Sequence, residues 1–183
     1  MPFAKTWTEE LVAEWLHLKG YLVEIGFPAG VAFAGGRYEV DVVGGKITSD
    51  DLEIVHAEVG TLGQGKNSIN SLEKKFSEKY CEAISLYFKQ IFGYNGKITY
   101  KKIYIASYWT KPVIEGASRF GVTVIPLTDF IKTEIIPTID NWKKNPPHSP
   151  RTKGSYLTLS ESNWLLELID YLNSHKLINY EKR

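Results

Sequence analysis

The stretch that decides the reading is RYEVDVVGGKITSDDLEIVHAEV, residues 37–59. Its first part, 37–43, alternates: Val40 and Val42 fall on one face of a strand, Glu39 and Asp41 on the other. Gly44-Gly45 reads as a turn and 49–51 as a loop. The second part, 52–59, is a further strand, with Ile54, His56 and Glu58 on one face and Val55, Ala57 and Val59 on the other. Each of two neighbouring strands therefore carries a carboxylate on its polar face.

Upstream, the pattern predicts a helix over 7–19. Thr6 and Glu9 have capping-box spacing, Gly20 is a stop, and Trp7, Leu11, Trp15 and Leu18 form one apolar stripe. Glu14 falls inside that stripe, where a carboxylate is costly unless paired; at the stripe's edge it would instead snorkel outward. Residues 21–25 are β-prone, and 27–36 read as a Gly- and Ala-rich connection.

Downstream, Gly60, Gly63 and Gly65 break regularity. A single long helix is expected over 68–92, with Ile69, Leu72, Phe76, Tyr80, Ala83, Ile84, Tyr87 and Ile91 inward. A strand over 98–107, a short helix over 112–120, a strand over 122–127 and a helical piece over 129–136 follow. Residues 143–153, KKNPPHSPRTK, read as a basic, Pro-rich loop. A last amphipathic helix spans 160–174, with Trp164, Leu165, Leu168, Ile169 and Leu172 inward. The early strands suit an antiparallel meander and the later ones parallel crossovers. The expected fold is thus α/β, a central mixed β-sheet flanked by helices with an additional C-terminal helix. Residues 1–140 would form the core, and 141–183 the basic loop and terminal helix packed on it.

The chain of 183 residues is 43% hydrophobic, long enough for one domain with a real core. Its 22 basic and 21 acidic side chains give a formal charge of +1, which argues against a polybasic coat for nucleic acid or membrane. That total hides an asymmetry: 1–65 carry a net −6, and 66–112 a net +6. One cysteine, Cys81, excludes an internal disulfide framework and a Cys-rich zinc site. There is no apolar run of about 20 residues to span a membrane and no signal-peptide pattern, so a soluble cytoplasmic protein is the default expectation.

If the two strands align Asp41 with Glu58, two carboxylates meet at one sheet edge, with Glu14 available from the first helix. Such oxygens suit Mg²⁺ (or Mn²⁺), which takes one or two carboxylates plus waters and phosphate oxygens. Bound there, it would polarise a phosphoryl oxygen and lower the pKa of water. His56, beside Glu58, suits a base or metal neighbour, or a structural role; Glu39 suits a cation contact or solvent.

The order of Glu14 on a first helix, RYEVDVV carrying Asp41, and IVHAEV carrying Glu58 resembles the PD-(D/E)XK nuclease superfamily. This is the restriction-endonuclease-like fold, which includes archaeal Holliday junction resolvases. The resemblance extends through the long helix and ASRFGVTVIPLTDFI, covering about 7–136. It implies a metal-dependent nuclease acting on DNA, with Asp41 and Glu58 on the metal and Glu14 in support or at a second metal. The chain departs from the pattern at one place: the Lys expected two residues after the second acid is Gly60. Some members are thought to move this Lys to the following helix, where Lys66, Lys74, Lys75 and Lys79 are candidates. On a continuous helix Lys79 lies nearest the edge of the apolar stripe, and it is the expected substitute. Loss of the Lys otherwise points to a catalytically inactive nuclease-fold protein acting as a nucleic-acid-binding or interaction module.

Lysines on the helix and on the Pro-rich loop suit phosphate contacts, while only four Arg argue against strong base-specific reading. A homodimer through the terminal helix would suit cutting of both strands.

Overall fold

The computed structural model describes residues 4–33, 36–49, 51–63, 66–145, 159 and 161–178. Helix α1 (Trp7–Leu18) opens as its capping residues require: the Thr6 hydroxyl accepts from the Glu9 N–H at 3.2 Å. Three strands follow, β1 (Leu22–Phe33), β2 (Gly36–Ile47) and β3 (Leu52–Thr61). Then come α2 (Lys66–Lys75), α3 (Glu78–Phe92), β4 (Ile98–Tyr108), α4 (Lys111–Ser118) and β5 (Val122–Pro126). A helical stretch continues through α5 (Leu127–Phe130), a π-helical segment (Ile131–Ile135) and α6 (Ile136–Lys144). Helix α7 (Trp164–Ser174) comes last among the described elements.

The five strands lie in the order β1-β2-β3-β4-β5. The first three pair antiparallel, and β3, β4 and β5 pair parallel, so the sheet is mixed. On one face α1, α6 and α7 bury Leu11, Trp15, Ile139 and Leu166 against Val42, Ala57 and Ile105. On the other, α3 brings Ile84 and Phe88 to Val43, Leu52 and Ile54, while α2 and α4 cover Tyr104 and Ala106. The fold is α/β, a mixed sheet flanked by helices with a C-terminal helix. No helix among the described residues is long and apolar enough to cross a membrane.

Five local expectations are corrected. Residues 27–33 are strand rather than connection, because Phe27 and Ala29 supply buried apolar surface and Pro28 sits on an edge strand, where a missing N–H is tolerated. Gly44-Gly45 is no turn but the middle of a sheet. A Cβ at Gly44 would meet Leu16 of α1 at 3.1 Å, and one at Gly45 would meet Phe88 of α3 at 2.3 Å. The pair lets a helix settle on each face of β2.

The alternation expected of β2 slips at Asp41. Pairing with β1 runs from Leu22–Gly45 to Ile25–Val42 and resumes at Phe27–Val40, passing over Gly26 and Asp41. Gly26 has φ +64, a conformation that suits glycine. Val42 consequently joins the α1 side of the core while Val40 joins the α3 side, not one face as expected.

The long helix expected over 68–92 is two. Helix α2 stops at Lys75, Ser77 is extended (φ −60°, ψ 151°), and α3 begins. The Lys102 ammonium donates to the Phe76 carbonyl at 3.2 Å, satisfying an acceptor the broken helix leaves over. The restart shifts the helical phase: Phe88 is fully buried, and Ile91, expected inward, is exposed. On α7, Leu165, Leu166 and Ile169 are inward, but Trp164 and Leu168 are exposed. Lys143 of α6 donates to Asp170 of α7 at 2.6 Å, and Arg151 and Lys153 lie outside the described residues.

Candidate functional site

Parallel strands bring their C-terminal ends to one edge, the place where α/β sheets commonly bind ligands. Here a crevice of about 600 Å³ opens beyond the ends of β3 and β4. Its walls include Trp7 and Glu9 from the first turn of α1, Asp41 from β2, Gly60 from β3, Lys75 from α2 and Ser107 from β4.

Asp41 stands where the β2–β3 ladder ends. The last pair is Val42 with Ala57; one step further, Asp41 Oδ2 accepts the Val59 N–H at 2.9 Å. A side chain thus takes an N–H the ladder no longer reaches, and this fixes Asp41 next to Glu58.

Glu58 is fully buried and surrounded by donors. The Tyr38 hydroxyl donates to Oε1 at 2.7 Å, and His56 Nε2 lies 3.4 Å from the same oxygen. The other ring nitrogen, Nδ1, is 3.1 Å from the Tyr100 hydroxyl. With Tyr100 donating to Nδ1, the imidazole proton sits on Nε2 and points at Glu58. The Lys75 ammonium donates to Glu58 Oε2 and lies 3.8 Å from Asp41 Oδ2.

These contacts divide the two acids. Burial alone would push the Glu58 carboxyl up, but His56, Lys75 and Tyr38 together hold it below its ordinary value. Asp41 goes the other way. Burial and then the Glu58 charge push it up to about 7, against the Val59 N–H and Lys75. Burial also lowers His56, consistent with a neutral ring. Two carboxyl groups thus share one ammonium.

Gly60 explains the departure from the expected pattern. It has φ +148, and a Cβ there would lie 2.9 Å from the Tyr104 hydroxyl oxygen. The β3–β4 register also slips after Gly60, which pairs with Ala106 while Thr61 pairs with Tyr108. No side chain fits that position without strain. Lys75 supplies the ammonium from α2 instead, its helix end held by the buried Phe76 ring, 4.5 Å from His56.

Asp41, Glu58 and Lys75 are brought together. Lys79 is not: the helix break leaves it exposed on the first turn of α3, and Lys74 is exposed on α2. The Lys66 side chain and Gln64 lie outside the described residues. Glu14 is buried among α1 and α7, and its carboxylate accepts the N–H groups of Leu165 at 3.1 Å and Leu166 at 2.9 Å. It caps α7 and does not line the crevice. Glu39 pairs with Lys5 at the surface.

Two residues at the site were not singled out from sequence. Glu9 lines the crevice, though its carboxylate accepts from the Lys5 N–H at 2.7 Å within the capping structure. Tyr38 reaches Glu58 because of the slip at Asp41. The signal for that slip was Gly26, which lies opposite Asp41 in the hairpin.

Among the described residues no group of three or more His, Cys, Asp and Glu converges to hold a metal ion. The available donors are the two carboxylates of Asp41 and Glu58. They are oxygen donors of the kind a hard cation takes, Asp41 on the crevice wall and Glu58 buried behind it with both oxygens facing Tyr38, His56 and Lys75.

No family model matches the chain, and no curated protein matches it. Among solved structures, "Crystal Structure of Protein of Unknown Function AF1548" is similar at 14% identity and a TM-score of 0.40. The match covers 93% of this chain and 78% of that one.

Proposed function

We propose that the protein is a divalent-cation-dependent nuclease that hydrolyses DNA phosphodiester bonds with water. The observation that carries this reading is the meeting of Asp41, Glu58 and Lys75 at the carboxyl ends of parallel strands, with Asp41 and Lys75 lining the crevice and Glu58 buried directly behind them. Asp41 and Glu58 would hold Mg²⁺ or Mn²⁺. When bound, the ion neutralises phosphate charge and lowers the pKa of water. The chain's own residues supply the rest. Tyr38 and His56 orient Glu58 and keep it ionised. Lys75 places an ammonium beside both carboxylates, where it can hold a water and stabilise charge developing on phosphate. DNA as substrate rests on the family resemblance alone.

The second reading is a binding module without catalysis. It is favoured by the full engagement of Glu58, whose two oxygens already face Tyr38, His56 and Lys75. Isothermal titration with Mn²⁺ tests both, comparing wild type with Asp41→Ala and Glu58→Ala. Saturable binding lost in both variants supports the nuclease reading. DNA binding with no cation binding favours the module.

A further inference from the structure

Three large aromatic side chains, one lining the crevice and two next in sequence to its lining, are exposed: Trp7 at 54%, Tyr108 at 53% and Trp109 at 41%. Trp7 lines the crevice, and Tyr108 and Trp109 directly follow Ser107, which also lines it. The slip after Gly60 pairs Thr61 with Tyr108. The Tyr108 backbone is held in place, its carbonyl accepting the Leu62 N–H at 2.8 Å. None of the three belongs to a core cluster, so packing does not explain their placement.

The cations at the crevice are few. Lys75 is at the floor on the two carboxylates, and Lys5 at the rim is paired with Glu39. A duplex presents two charged backbones, and its bases are already stacked on one another. One deep ammonium flanked by exposed aromatic planes suits a single backbone whose free bases can stack on protein.

Resting on the phosphodiester-hydrolase reading above, we infer that the crevice takes an unpaired stretch of DNA, with Trp7 on one side and Tyr108–Trp109 on the other stacking on bases that flank the bound phosphate. The aromatics select single-stranded substrate, and Lys75 with the acids receives the backbone between them.

Fluorescence anisotropy with a labelled oligonucleotide, unpaired or annealed to its complement, tests this in Ca²⁺ buffer. Wild type binds the unpaired strand at least about tenfold more tightly. Trp7→Ala and Tyr108→Ala each weaken unpaired binding by about tenfold, the size of one lost base–aromatic stack. Both change duplex binding by less than about twofold, and Trp7→Phe retains most of the unpaired affinity. Equal or tighter binding of duplex, or unchanged unpaired affinity in both Ala variants, overturns the proposal. Cleavage of the same two substrates in Mg²⁺ separates the two claims. Aromatic-dependent binding without cleavage sustains the stacking surface and sinks the hydrolase reading. Cleavage of paired DNA with no aromatic dependence does the reverse.

Discussion

A Cβ built on Gly60 would stand 2.9 Å from the phenolic oxygen of Tyr104. This contact, with the φ of +148, closes the strand position at which the resemblance to PD-(D/E)XK nucleases would put a lysine. The ammonium comes instead from Lys75, one element later in the chain. One ammonium thus reaches both carboxylates, from α2.

Restoring the expected lysine therefore fails. Gly60→Lys lowers stability by about 1–3 kcal/mol, the cost of a strained backbone and a blocked side chain. On the proposed nuclease reading, it leaves cleavage no higher than in wild type. Thermal denaturation and a cleavage assay check both halves, and pairing the change with Tyr104→Phe recovers part of the lost stability.

Lys75→Met removes the ammonium while keeping its stem. Cleavage falls by about 10²–10³-fold, the usual consequence of losing a group that stabilises developing charge. Stability at neutral pH falls by about 2–4 kcal/mol, because a fully buried Glu58 loses its charged partner. Lys74→Met and Lys79→Met, at exposed positions, change the rate by less than about twofold. A panel of the three variants measured side by side decides which lysine serves.

Sequence made the element order, the mixed sheet and the neighbouring Asp41 and Glu58 legible, because alternation and capping are local. It misplaced what depends on breaks in a pattern. A continuous helix over 68–92 points to Lys79; the restart at Ser77, beside the tertiary contacts of Phe76 and Lys102, leaves Lys79 exposed, and Lys75 at the end of α2 reaches the acids. Regular alternation likewise separates Tyr38 from Glu58, and only the glycine at 26 brings them together. Glu14 was legible as a carboxylate on an apolar stripe, but its partner lies about 150 residues away in sequence, a contact no local pattern carries.

Glu14→Ala tests that capping role. It leaves two N–H groups at the start of α7 without their acceptor and costs about 2–4 kcal/mol. Burial raises the Glu14 carboxyl in the folded state, outweighing the N–H groups of Leu166 and Leu165. A raised folded pKa means this group's stabilisation is complete below the unfolded value and is lost as pH rises through the folded one. Wild type thus loses stability with rising pH above the ordinary carboxylate range, and the variant lacks that slope. Denaturant midpoints across acidic to neutral pH measure it.

Cation binding carries its own pH signature. With Asp41 pushed up to about 7, a metal ion must displace a proton near neutrality. Mn²⁺ affinity rises from about pH 6 to about pH 8 and binding releases protons, detectable by calorimetry in buffers of different ionisation enthalpy. Asp41→Asn abolishes the proton release.

The most direct test is single-turnover cleavage of end-labelled DNA, unpaired and paired, in Mg²⁺ or Mn²⁺ and in EDTA, by wild type, Asp41→Asn and Lys75→Met. Metal-dependent cutting by wild type that is lost in Asp41→Asn and falls at least about a hundredfold in Lys75→Met is the predicted result. Cleavage that survives in EDTA or in Asp41→Asn, or no cleavage by folded wild type under any of these conditions, would contradict the assignment of this crevice as a nuclease site.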